Sequence, residues 1–112
     1  HGMAPLVSHL AELDQIDAVA YDQLETFSAG VQFARAEGII PAPEANHAVA
    51  GAINEALRCK EEGVSRSILF NLCGHGHFDL AAYEAHMGNA LPDFDYPEEA
   101  IQRSLEALPQ VG

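Results

Sequence analysis

Two short runs hold most of the side chains with chemistry to offer. They are Glu37-Gly-Ile-Ile-Pro-Ala-Pro-Glu44, with His47 just beyond it, and Phe70-Asn-Leu-Cys-Gly-His-Gly-His-Phe-Asp79. In the second run, Gly74 and Gly76 would let the backbone approach a flat or anionic ligand closely. A helix starting behind them would aim N–H donors at that ligand. The run follows an apolar stretch, and in open α/β sheets ligands bind outside the carboxyl ends of strands. Taken alone, two glycines more often mark a tight turn that needs positive φ.

The same turn offers metal-ligand atoms. Cys73, His75 and His77, with Asp79 and His47 as further donors, are residue types that suit zinc. Against a metal, alternate residues in a turn often point apart, and the paired cysteines of a structural zinc site are missing. Histidines that pack and hydrogen-bond locally are the simpler reading, with a small metal-binding module as the alternative. A dinucleotide fingerprint fails because Asp79 stands where its third glycine belongs and would oppose a pyrophosphate. No Gly-x-Ser-x-Gly elbow or serine-histidine-aspartate order supports a hydrolase. His47 falls opposite the apolar stripe of its helix, Glu44 suits a helix start through the macrodipole, and Glu37 suits a solvated helix end.

Composition narrows the function classes. The chain has 112 residues, 48% apolar and 20% charged, which predicts one folded domain with a modest core. Seventeen acidic residues against five scattered basic ones give a net charge of −12. That excludes the clustered basic face that nucleic-acid binding needs. Cys59 and Cys73 sit in unlike settings and predict no disulfide framework. No apolar run approaches the roughly 20 residues of a membrane span, and no leader or lipidation signal is present, so the reading is a soluble, cytoplasmic chain. The opening His1-Gly-Met3 fits either a tag scar ahead of an initiating methionine or native sequence cut from a longer chain.

The elements that must position these residues follow from periodicity. Met3, Leu6, Val7, Leu10 and Leu13 behind Pro5 predict a helix over about 4–13. Residues 16–21 predict a short strand. Asp22 and Glu25 have the form of a capping box for a helix that buries Leu24, Phe27, Val31 and Ala34 and ends at Gly38. Ile39-Ile40-Pro41 reads as a short buried connector. Ala45, Ala48, Val49, Ala52, Ile53, Ala56 and Leu57 trace the clearest helix, closed by Gly63. Residues 68–72 read as a strand covered on both faces. Asp79 is placed to cap a helix through about Met87. Asn89 to Asp95 reads as a loop, and Pro97 opens a last helix with Ile101, Leu105 and Leu108 inward. Helices alternating with two short strands predict the α/β class, and two strands are too few for a complete sheet.

Beyond these local readings, three segments resemble a known family: His1-Gly-Met-Ala-Pro, Glu37-Gly-Ile-Ile-Pro-Ala-Pro-Glu44 with His47, and Asn71-Leu-Cys-Gly-His-Gly-His-Phe-Asp79. They are similar to the C-terminal quarter of tryptophan synthase beta chains, nearest the second, beta-like branch, and the likeness runs over nearly all of residues 1–112. The resemblance implies a piece of a fold-type II pyridoxal-phosphate enzyme, built of two α/β domains with the cofactor between them. The family replaces the hydroxyl of L-serine by indole to give L-tryptophan. It further implies that Glu37 lies near the cofactor ring, that Cys73 takes the position whose side chain hydrogen-bonds the pyridine nitrogen, and that Gly74 lines the same wall. The family usually has serine at that position, and a thiol is the weaker partner.

A pyridoxal-phosphate enzyme also needs a lysine amine tuned to react with its cofactor. The only lysine is Lys60, beside Glu61 and Glu62, whose charges favour its protonated form. The expectation is therefore an inactive fragment that contributes one wall, holds no catalytic residue and binds no cofactor by itself. Its partners would be the remainder of its own parent chain, a second copy in a homo-oligomer, and the alpha subunit of tryptophan synthase. An independent interaction domain that has lost the chemistry is the other alternative.

Overall fold

A computed structural model describes residues 4–93 and 97–106. Among these residues five α-helices follow one another: α1 (Pro5–Glu12), α2 (Gln23–Glu37), α3 (Ala45–Glu62), α4 (Leu80–Met87) and α5 (Glu98–Glu106), with a 3₁₀ turn over Gly76–Phe78. No strand occurs among the described residues. Residues 16–21 and 68–72 form no helix and no sheet ladder, which corrects the expectation of two short strands there. The physical reason is pairing. An apolar extended run becomes a strand only when a neighbour supplies the ladder, and no described segment exchanges ladder hydrogen bonds with either run.

Helices α2 and α3 form the centre. Their seam holds Ala29, Val49 and Ala50, with Tyr21, Phe33, Ile53, Phe70 and Leu72 packed around it. The small residues of both helices let the backbones approach, and Phe33 meets Phe70 edge to face at 5.9 Å. Gly38 ends α2 with φ 72° and its N–H on the Ala34 carbonyl, and Gly63 ends α3 with φ 67°, both as the sequence predicts.

Helix starts behave differently from expectation. Asp22 is extended at the head of α2, but its side chain makes no cap bond. Glu25, the other half of the predicted capping box, instead accepts from Asn54 Nδ2 on α3 at 3.2 Å. Tertiary packing of α3 against α2 has taken the carboxylate that local capping would have used. Asp79 likewise stands at the head of α4 without a side-chain bond; its backbone carbonyl accepts from Ala82 and Tyr83.

The outer helices are little buried. No residue of α1 or α5 is buried, and Ile101 and Leu105 of α5 are exposed, against the inward face predicted for them. An apolar stripe turns inward only where something covers it. Met3 and Leu108, expected on those stripes, and the end of the predicted loop at Asp95 lie outside the described residues. The accessible surface is 9004 Å², against about 6000 Å² for a compact monomer of this mass. Leu69 is 97% and Phe78 92% exposed, so this fold leaves large apolar side chains uncovered.

Candidate functional site: the connector and the glycine loop

The two runs that carry the candidate chemistry meet in space. After Gly38 the chain passes through a connector, Ile39 to Pro43, before α3 begins. Proline at 41 and 43 removes two backbone donors, so the connector binds its surroundings mainly through its carbonyls. Gly76 N–H donates to the Ile40 carbonyl at 2.9 Å, and the Tyr83 hydroxyl donates to the next carbonyl, that of Pro41, at 2.7 Å. Two successive carbonyls are thus held by the loop and by α4. Of the predicted buried connector, Pro41 is buried, Ile40 half-buried and Ile39 exposed.

Close approach explains the second glycine. Gly76 is buried, and a β-carbon there would collide with the Pro41 carbonyl oxygen and stand 2.7 Å from Ile40 Cγ2 and 3.0 Å from Tyr83 Cε2. Gly74 has φ 72°, the left-handed region, and its pro-β position faces Ala42 Cβ at 3.2 Å. The first glycine turns the loop and the second seats it.

Behind the loop lies a buried polar group that sequence reasoning missed. Asn46 is wholly buried in the first turn of α3, and its Oδ1 stands 3.1 Å from the Tyr83 hydroxyl, while its Nδ2 finds no partner. One hydroxyl proton cannot serve both Pro41 and Asn46. Turning the carboxamide over lets Asn46 donate to the Tyr83 oxygen while that hydroxyl donates to Pro41, and leaves an acceptor rather than a donor without a partner. Burial pushes the Tyr83 phenol above its ordinary pKa; the Asn46 hydrogen bond opposes this and the Asp79 charge adds to it. The ring itself is fixed edge-on to Phe27 at 5.1 Å. Asn46 escaped notice because a polar residue at an α3 position looks solvent-facing until α2 covers it. The helical spacing of Asn46 with Ala45 and Val49 was the available signal.

The three residues assigned to a cofactor wall are all exposed. Glu37 is the last residue of α2, three positions before Ile40; Cys73 and Gly74 precede Gly76 by three and two. The Gly76–Ile40 hydrogen bond therefore ties the segment bearing Glu37 to the one bearing Cys73 and Gly74. Lys60 is exposed in the last turn of α3. His47 is exposed and, with Tyr21, Phe27 and Pro43, borders a groove of about 320 Å³.

The metal alternative gains nothing from the geometry. Among the described residues, no group of three or more histidine, cysteine or acidic side chains is placed to hold a metal. Instead His77 N–H donates to His75 Nδ1 at 3.3 Å, and the His75 ring packs against His77 at 4.9 Å and Phe78 at 5.3 Å. The turn uses one imidazole nitrogen for its own backbone, as the local-packing reading expects. No described helix is long and apolar enough to cross a membrane.

No protein-family model matches the chain. Individual relatives do. It is 59% identical over 93 residues to tryptophan synthase beta chain 2 of Aquifex aeolicus, covering 83% of this chain and 21% of that protein. To the protein of the same name from Methanosarcina acetivorans it is 52% identical over 91 residues, 81% of this chain and 21% of that one. To tryptophan synthase beta chain of Thermococcus onnurineus it is 50% identical over 99 residues, 88% and 22% respectively. The chain spans about a fifth of the length of these curated relatives.

Proposed function

We propose that this chain, homologous to a fifth-length segment of tryptophan synthase beta chains, is the closing part of a pyridoxal-phosphate enzyme that makes L-tryptophan from L-serine and indole. Within that enzyme it would supply one wall of the cofactor site. The observation that carries this reading is the joining of the two runs: Gly76 N–H on the Ile40 carbonyl brings the Glu37 segment and the Cys73–Gly74 segment into one unit, with the wall residues facing out.

The residues present fit one wall of the cofactor. Cys73 and Glu37 offer an exposed thiol and carboxylate, and Gly74 holds the turn with no side chain to block a flat ring. When bound, pyridoxal phosphate supplies an electron sink for chemistry at the substrate α-carbon. Of this chain's own residues, Cys73 would meet the ring nitrogen through its thiol, Glu37 would place a negative charge near the ring, and Gly74 would let the backbone lie close. The lysine that binds the cofactor covalently, and the rest of the α/β architecture that pairs with residues 17–22 and 64–73, would come from the remainder of the parent chain. Its uncovered surface, with Leu69 and Phe78 almost fully exposed, supports that division. A second parent copy and an alpha subunit are the further partners of this reading.

The test compares the chain alone with the full-length protein that carries it. The full-length protein should show the visible absorbance of lysine-linked cofactor and form L-tryptophan, and the chain alone neither. A cofactor band from the chain alone, abolished by Lys60→Gln, would overturn the proposal.

A further inference from the structure

We propose that Tyr83 is a positioning residue, whose hydroxyl, set between the Pro41 carbonyl and the Asn46 carboxamide, fixes the connector and through it the loop that carries Cys73 and Gly74. This deepens the reading above and rests on it for the identity of the ligand.

The argument starts from what holds the loop. Cys73, Gly74, His75 and His77 are all exposed, so the loop's buried attachment is Gly76, through its N–H to Ile40. That bond positions the loop only as well as the Ile40–Pro41 peptide is itself held. Pro41 has no N–H, and the partner of its carbonyl is the Tyr83 hydroxyl.

Tyr83 is well placed to be rigid. Its side chain is buried, with its ring edge-on to Phe27 of α2, its oxygen beside Asn46 of α3, and its Cε2 standing 3.0 Å from where a Gly76 β-carbon would be. One phenol thus links α2, α3, the connector and the loop. Phenylalanine would fill the same space but leave the Pro41 carbonyl and the Asn46 amide without their partner, a buried vacancy that loosens what it anchored. The placement of the wall relative to Glu37 accordingly depends on an oxygen that never touches the ligand.

The experiment uses the full-length protein and Tyr83→Phe. Peptide-resolved amide exchange reads the Gly76 segment against the α3 residues Val49 and Ala50, and titration with pyridoxal phosphate reads the wall. Removing the hydroxyl should speed exchange around Gly76 by about tenfold, leave α3 unchanged and weaken cofactor binding several-fold. Phe27→Leu, which loosens the ring but keeps the hydroxyl, should not reproduce this pattern. Equal acceleration in α3, an equal effect of Phe27→Leu, or unchanged cofactor affinity beside a loosened loop would overturn the proposal. Should Tyr83→Phe not fold, amide exchange of the unaltered protein decides: a Gly76 N–H protected as strongly as Val49 and Ala50 supports an anchored loop, and one that exchanges as fast as the exposed Cys73 and His75 amides sinks it. If the unaltered protein binds no cofactor, the functional reading fails by itself, and the exchange data still decide whether Tyr83 anchors the loop.

Discussion

Gly30 and Asn46 meet so closely across the seam of α2 and α3 that no β-carbon fits between them: one built on Gly30 would overlap the Asn46 carboxamide. A buried polar side chain is thereby accommodated by removing a side chain opposite it.

Gly30→Ala should therefore cost more than its better helix propensity returns, with a net loss of about 1–3 kcal/mol from overpacking. Denaturant unfolding of the full-length protein checks this. Combined with Asn46→Ala, which clears the space, the two losses should be clearly less than additive. Simple additivity would mean the contact is not where the strain lies.

Gly76→Ala should act on the loop more than on the helices. The new methyl collides with the Pro41 carbonyl oxygen and crowds Ile40 and Tyr83, so the hydrogen bond to Ile40 must lengthen or break. A loss of about 1–3 kcal/mol is expected, with proteolysis or amide exchange locating it near residues 73–79. Gly74→Ala, strained by its φ of 72°, should cost about 1 kcal/mol without disturbing Tyr83.

The two cysteines should differ sharply toward a thiol reagent. Cys73 is exposed and Cys59 is buried, so mass mapping after brief labelling should find Cys73 modified and Cys59 intact. In the full-length protein, added pyridoxal phosphate should slow labelling at Cys73. Equal labelling with and without cofactor would remove Cys73 from the wall.

Tyr83 predicts a change in stability at high pH. Burial raises its folded-state pKa above the unfolded phenol value of about 10, so the folded protein holds this proton more tightly. The stabilisation is complete below that value and is lost as pH rises from it through the folded pKa. Above pH of about 10, stability should fall more steeply in the unaltered protein than in Tyr83→Phe, with one tyrosine absorbance change arriving late and missing from the variant.

Helix bodies and ends were legible in this sequence because their signals are local: the small-residue stripe of α3, and Gly38 and Gly63 at the stops. Residues 68–72 carry the composition of a covered strand, but a ladder needs a second strand, and composition alone does not supply one. The capping box at Asp22 and Glu25 failed for a similar reason, since Asn54 lies far along the chain and competes for the same carboxylate. The assignment of Glu37, Cys73 and Gly74 to a cofactor wall came from resemblance alone. Tyr83 and Asn46 carry no local signal that singles them out. Their partnership exists only once α2, α3 and α4 are packed.

The bare run around Leu69 has a practical consequence for anyone producing this polypeptide. An extended, apolar segment whose backbone groups are unpaired is a template for any other chain that can lie alongside it. Made by itself, the polypeptide should recruit its own copies and precipitate. Made in the same cell as the four fifths of a relative's length that it does not span, it should stay in solution if that part covers Leu69, so that recovery in the soluble fraction becomes a direct assay of complementation between the two pieces.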